Sequence, residues 1–131
     1  MTLTSVMLRR SSDSLPRITN DLGVKPWRLK VLAAHLLGRS QDALLPQVDV
    51  YHATAHLLPR FRRIKTVFTL HDLAFQTHPE THKTLNRVYL NAAMPRFLRA
   101  ADAIIAVSEW TKHDAERLMS IDGERITVIH E

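Results

Sequence analysis

The chain has 131 residues, 45% of them hydrophobic and 24% charged, which supports one domain with its own core and argues against overall disorder. It contains no cysteine, excluding disulfides and thiolate metal sites, and no run near the roughly 18 apolar residues of a membrane span or, at its start, of signal-peptide character, so a cytoplasmic protein is expected. The net charge of +5 is lopsided: residues 1–64 carry ten Lys/Arg against four Asp/Glu, a net +6, and residues 65–131 carry eight against nine, a net −1, so a surface for anionic partners would belong to the first half.

Residues 1–26 include Ser11, Ser12, Ser14, Pro16 and Pro26 without sustained periodicity, and read as loop with one short helical piece. Trp27 to Leu37 has apolar residues at helical spacing, with Pro26 suited to the helix start and Gly38 to its stop. Its Arg28, Lys30 and Arg39 make it a basic amphipathic helix, for which packing on a sheet is the commoner role and membrane-surface contact the alternative. Val48 to Thr54 reads as a short strand opening into Ala55 to Pro59. The basic loop with Arg60, Arg62 and Arg63 follows, and then a strand from Lys65 to Leu70. The link between these strands is too short for a full crossover helix, so a tight loop or one helical turn is expected, with direct parallel pairing in question.

Ala74 to Lys83, with Pro79, reads as loop, and Leu85 to Arg99 as a helix that Pro95 should kink or divide. Ala103 to Val107 is an unbroken apolar run, fitting a buried strand. Ser108 is placed to cap a helix over Glu109 to Met119, and a turn at Ile121 to Glu124 leads into a last strand, Arg125 to His130. This alternation predicts an α/β fold, a parallel sheet with flanking helices, lacking the apolar first strand and Gly-rich turn that usually open a doubly wound domain.

Polar residues recur where these strands end: His52 with Thr54, His71 with Asp72, Ser108 with Glu109, and His130 with Glu131. In a parallel sheet those ends share one edge, where α/β proteins bind ligands. Two histidine pairs, His52 with His56 and His78 with His82, have the four-residue spacing of helical metal ligands, but the first starts in a strand and the second spans Pro79, so no metal site is expected. Gly-x-Gly-x-x-Gly, Walker and Gly-x-Ser-x-Gly patterns are absent, and eight aromatics, of which Tyr51, Phe68 and Phe97 read as internal, give no platform for nucleic acid.

Four segments carry a family resemblance. They are Asp49-Val-Tyr-His-Ala-Thr-Ala-His-Leu-Leu-Pro59, Thr66-Val-Phe-Thr-Leu-His-Asp-Leu73, Ala101-Asp-Ala-Ile-Ile-Ala-Val-Ser-Glu-Trp-Thr-Lys-His-Asp114 and Glu124-Arg-Ile-Thr-Val-Ile129. Together they resemble family 4 glycosyltransferases, over residues 48–131 most strongly and over 1–47 only in a general way. The resemblance implies a partial Rossmann-like domain, residues 1–131, corresponding to part of the amino-terminal, acceptor-side domain of the two-domain GT-B fold, with the donor-binding carboxy-terminal domain absent. It further implies retaining hexosyl transfer from a nucleotide sugar, which is the substrate, no separate cofactor being needed. His71 would take the catalytic place beside the transferred sugar, donating a hydrogen bond to it, with His52, Thr54, Asp72 and Ser108 binding substrate on the acceptor side.

The implied partners are a nucleotide sugar, a glycan or lipid-linked acceptor, and a chain carrying the donor domain, with peripheral membrane contact open and nucleic acid excluded. Because the family's phosphate-binding cations and acidic donor-domain residue have no counterpart here, the isolated chain is expected to be incomplete and inactive. Two rival readings are a non-catalytic glycan-binding or interaction module and a truncated, inactive product.

Overall fold

The computed structural model describes residues 6–8 and 23–131. Five strands form one sheet in the order β1-β2-β3-β4-β5: β1 Val6–Leu8, β2 Val50–Ala53, β3 Lys65–Leu70, β4 Ala103–Ala106 and β5 Ile126–Val128. The last four are parallel, and β1 lies antiparallel on the outer edge of β2, with Met7 opposite Tyr51. The fold is thus α/β and Rossmann-like, as the alternation of strand and helix patterns predicts. The loop reading of residues 1–26 is corrected at β1: three residues carry too little pattern to announce a strand, and the backbone groups of an exposed β2 edge recruit them. It is corrected also at Val24 to Pro26, which form the first turn of a helix, while residues 1–5 and 9–22 lie outside the described residues.

Burial alternates along the strands, as a period of two requires. Tyr51, Ala53, Phe68, Leu70, Ile104, Ala106 and Ile126 are buried on one face. On the opposite face His52 stands in register with Val67 and Thr69 with Ile105, and His52, Val67 and Ile105 are only half-buried. Two crossover helices connect the parallel strands, α3 Thr84–Ala100 between β3 and β4 and α4 Glu109–Met119 between β4 and β5. Successive right-handed crossovers along an unreversed strand order fall on the same side of a sheet. Accordingly Phe97 of α3 meets Phe68 of β3, ring centroids 6.4 Å apart, within the buried layer.

Helix α1, Val24–Leu36, packs beside α3: Arg28 Nη1 donates to Asn86 Oδ1 at 3.0 Å, its guanidinium lies 4.3 Å from the centre of the Tyr89 ring, and His35 meets Phe97. Trp27, Val31 and Ala34 bury its inner face, so core packing accounts for the amphipathic pattern. Its stop is the one the sequence promises. Gly38 takes the left-handed conformation at φ 65°, Arg39 N–H donates to Ala34 O and Gly38 N–H to His35 O, closing the helix with a paired carbonyl-capping turn.

Two loops differ from expectation. Residues 74–83 include a short helix, α2 Ala74–Thr77, and a 3-10 turn at Pro79–Thr81, formed because Phe75 must reach the core, where it is 1% exposed. The link between β2 and β3 contains no helix, yet the strands are direct parallel neighbours, Val50 opposite Lys65. Instead of a helix, an extended segment places Leu57, Leu58 and Pro59 in the core. A buried extended segment must find partners for its backbone groups. His35 donates to Leu58 O at 2.7 Å, Gln41 bonds both backbone groups of Arg60, and the Asp42 carboxylate accepts from the N–H groups of Arg62 and Arg63. Residues before β2 thus supply what a crossover helix would have satisfied internally.

Pro95 neither ends nor divides α3, which runs unbroken through it. Ala93, Met94, Phe97 and Leu98 are completely buried around it, and burial of such side chains, each large one worth about 1.5–3 kcal/mol, offsets a lost helical hydrogen bond.

Candidate functional site

The carboxyl ends of β2 to β5 form one edge, and His71 stands on it directly after β3. Two elements fix it. Its ring Nε2–H donates to Thr54 O at 3.0 Å, beyond β2, and its own carbonyl accepts from Thr111 Oγ1 at 3.2 Å, from α4. Nδ1 lies 3.6 Å from Glu131 Oε1, and the side chain is 37% exposed. With Nε2–H engaged by Thr54, Nδ1 is the nitrogen remaining for a ligand. It accepts a hydrogen bond as neutral imidazole and donates one only as imidazolium, for which the Glu131 carboxylate is the nearby counter-charge.

Ser108 is joined to His71 through Thr111. Its Oγ accepts from Thr111 N–H at 3.1 Å, capping α4, and stands 3.0 Å from Thr111 Oγ1. Thr54 takes part through its backbone carbonyl. Asp72 is exposed at the rim, and one carboxylate oxygen accepts from Ala74 N–H at 2.8 Å, ordering the start of α2. His52 lies further back. It is opposite Val67, four residues before His71, and its Nε2 sits 2.7 Å from Thr69 Oγ1 on the neighbouring strand. The edge therefore brings His71, Thr54 and Ser108 together, sets Asp72 at its rim, and leaves His52 within the sheet. His130 is exposed beyond the end of β5.

One histidine on this edge was passed over in sequence as half of a weak metal pair. His56 packs against His71 with ring centroids 6.4 Å apart, and its Nε2 is buried without a hydrogen-bond partner. Burial pushes its pKa below the ordinary histidine value; the Asp72 charge opposes this, and the charges of His71, Arg28 and His82 add to it. It is therefore neutral at pH 7 and retains unused hydrogen-bonding capacity. The only sequence signal was its spacing from His52, which concerns the wrong neighbour. Thr111 is a site residue hidden inside a helix pattern, and Glu131, expected with His130 only as strand-end polarity, is the one of that pair that meets His71.

The rim is apolar as well as polar: Leu85 opens α3 with 84% exposure and Trp110 opens α4 with 74%, while Ile129 follows β5. Among the described residues, no three His, Cys, Asp or Glu side chains are grouped closely enough to hold a metal ion. The edge offers hydroxyl and carbonyl groups, two imidazoles, the Asp72 and Glu131 carboxylates and exposed apolar surface, a set suited to holding a polyhydroxylated ligand.

A model of the family described as Glycosyltransferase Family 4 matches residues 7–131. The chain belongs to glycosyltransferase family 4. The match begins well ahead of residue 48, so most of β1 and all of α1 fall within the family pattern, not only the segments that carry the resemblance most strongly. No curated protein matches this family 4 chain. Membership supports a glycosyltransferase-type enzyme at a coarse level. Among its described residues, no helix is long and apolar enough to cross a membrane.

Proposed function

We propose that this family 4 chain supplies the acceptor-side part of a retaining, nucleotide-sugar-dependent glycosyltransferase, working within a larger or two-chain assembly whose other part holds the donor. The observation carrying this reading is the fixed position of His71, held by Thr54 O and Thr111 at the carboxyl edge of the sheet with Nδ1 beside Glu131. In the proposed transfer the bond from the anomeric carbon to the donor phosphate oxygen breaks, and its electron pair leaves with the phosphate. The acceptor hydroxyl oxygen bonds to that carbon on the same face, and its proton passes to the departing phosphate. Positive charge builds on the sugar ring, so a group fixed beside the sugar aids the transition state more than the ground state.

His71 is that group, and Ser108 and Thr54 steady it. Asp72 and His52 are acceptor-side candidates by position, Asp72 at the rim and His52 only through its strand neighbour Thr69. With His71 Nε2 engaged by Thr54 O, Nδ1 is the ring nitrogen left for contact with the sugar, 3.6 Å from Glu131 Oε1. A cytoplasmic enzyme is the setting in which sugar nucleotides are available, and Leu29, Leu36 and Leu37, exposed on and just after α1 near Lys30 and Arg39, would serve peripheral contact with a membrane bearing a lipid-linked acceptor.

The test is turnover of a sugar nucleotide by the assembled enzyme. His71→Ala should lower kcat by about a hundredfold or more, the scale seen when one fixed transition-state hydrogen bond is removed, while the denaturation midpoint stays near wild type. Undiminished turnover would remove His71 from the reaction. A second reading, a glycan-binding or docking module without chemistry, is favoured by the exposed Leu85, Trp110 and Ile129 rim. Calorimetry separates the two: such a module binds glycan or a partner chain and gives no turnover in any assembly.

A further inference from the structure

At the opposite edge of the sheet, away from His71, a cleft of about 300 Å³ is lined by His35, Arg60, Arg96, Arg99 and Ala100. Three guanidinium groups and an imidazole converge there from three elements: the end of α1, the extended β2–β3 link and the end of α3. Among the described residues, no carboxylate pairs with Arg60, Arg96 or Arg99; the ion pairs lie at Lys65–Asp102, His71–Glu131 and Arg117–Asp114. The last carbonyls of α3, Leu98 O and Arg99 O, and that of Ala101 accept from Arg125, and Arg96 Nη1 donates to Ala92 O within its own helix, a neutral partner that leaves its charge uncompensated. Arg60 Nε is buried with no hydrogen-bond partner. Like charges gathered in a recess repel, and a buried unsatisfied guanidinium N–H is costly; one anion relieves both.

We propose that this cleft is a binding site for a phosphate dianion, a phosphate monoester or inorganic phosphate, separate from the edge that carries His71. Arg60 offers its Nε–H from the wall, and Arg96 and Arg99 bring charge from the exposed end of α3, a geometry suited to tetrahedral oxygens. His35 reports occupancy. Its pKa is lowered first by burial, and further by the charges of Arg60 and Arg96, while its hydrogen bond to Leu58 O acts the other way; the Phe97 ring packs beside it without charge. An anion in the cleft offsets the arginine charges and raises the His35 pKa, so the ring's titration shifts upward when the cleft is occupied.

The test is an NMR titration of the full chain with inorganic phosphate, following Arg60 Nε–H and the His35 ring, alongside flotation with vesicles containing phosphatidic acid. Saturable movement of both signals is expected, with affinity at least tenfold weaker in the Arg96→Ala, Arg99→Ala double variant, whose substituted side chains are exposed and whose fold should persist by circular dichroism. Phosphate in solution as the source gives the titration; a lipid headgroup as the source gives vesicle binding that the double variant loses. Response to neither probe, or equal binding by the double variant, would overturn the site.

Discussion

His71 and His56 sit side by side with unequal freedom. His71 has its Nε2–H committed to Thr54 O and its backbone to Thr111, whereas half-buried His56 has its Nε2 buried and unpaired. A fixed ring beside an unsatisfied one is the arrangement expected where a ligand completes the hydrogen bonding. Only the first was legible in sequence, because it ends an apolar strand; His56 becomes a site residue through the path of an extended loop. At the same scale, Gly38 is legible for a stricter reason. Its φ of 65° is a conformation that costs a residue with Cβ roughly 1–2 kcal/mol. No atom crowds the position, so Gly38→Ala should lose about 1 kcal/mol by urea denaturation through backbone strain alone, and Gly38→Asn distinctly less.

Elements with strong local signals formed as expected. Lys65–Leu70 and Glu109–Met119 match their sequence patterns, the second because Ser108 supplies its cap. Helix α3 shows where local rules yield: Pro95 removes one donor inside a helix whose buried residues Met94, Phe97 and Leu98 keep it continuous. Pro95→Ala restores that donor, and should raise stability by about 1–3 kcal/mol, read as a higher thermal midpoint. A lowered midpoint would mean that the core is shaped around the proline ring. The β2–β3 link yields in the other direction, since its helix-free parallel connection depends on Gln41 and Asp42, two polar residues that nothing in a local window distinguishes from loop surface.

Across the whole molecule, buried titratable groups set the response to acid. Burial lowers the pKa of both His35 and His56, so the unfolded chain takes up protons on these rings first, below about pH 6.5. Their contribution is full above that pH and declines as pH falls through the folded values. For Asp42, burial alone would raise the pKa, but bonds from Ser40 and from the N–H groups of Arg63 and Arg62 outweigh it; for Asp102, bonds from Thr66 and the Lys65 charge do the same. Both carboxylates therefore hold a depressed pKa, and their contribution, present above about pH 3.9, is lost as pH drops through the folded values. Urea midpoints measured against pH should fall in two stages, with His56→Gln flattening the first and Asp42→Asn the second; profiles indifferent to both changes would contradict the assignment. Hydrophobic periodicity, strand-end polarity and the family segments, all local properties of the chain, already determined the α/β class and pointed to His71. Tertiary structure alone decided the β1 edge pairing, the helix-free β2–β3 neighbourhood, the contact of His71 with His56 and Glu131, and the gathering of His35, Arg60, Arg96 and Arg99. Each of these depends on segments distant in sequence meeting in space, and no local pattern encodes which distant segment will arrive.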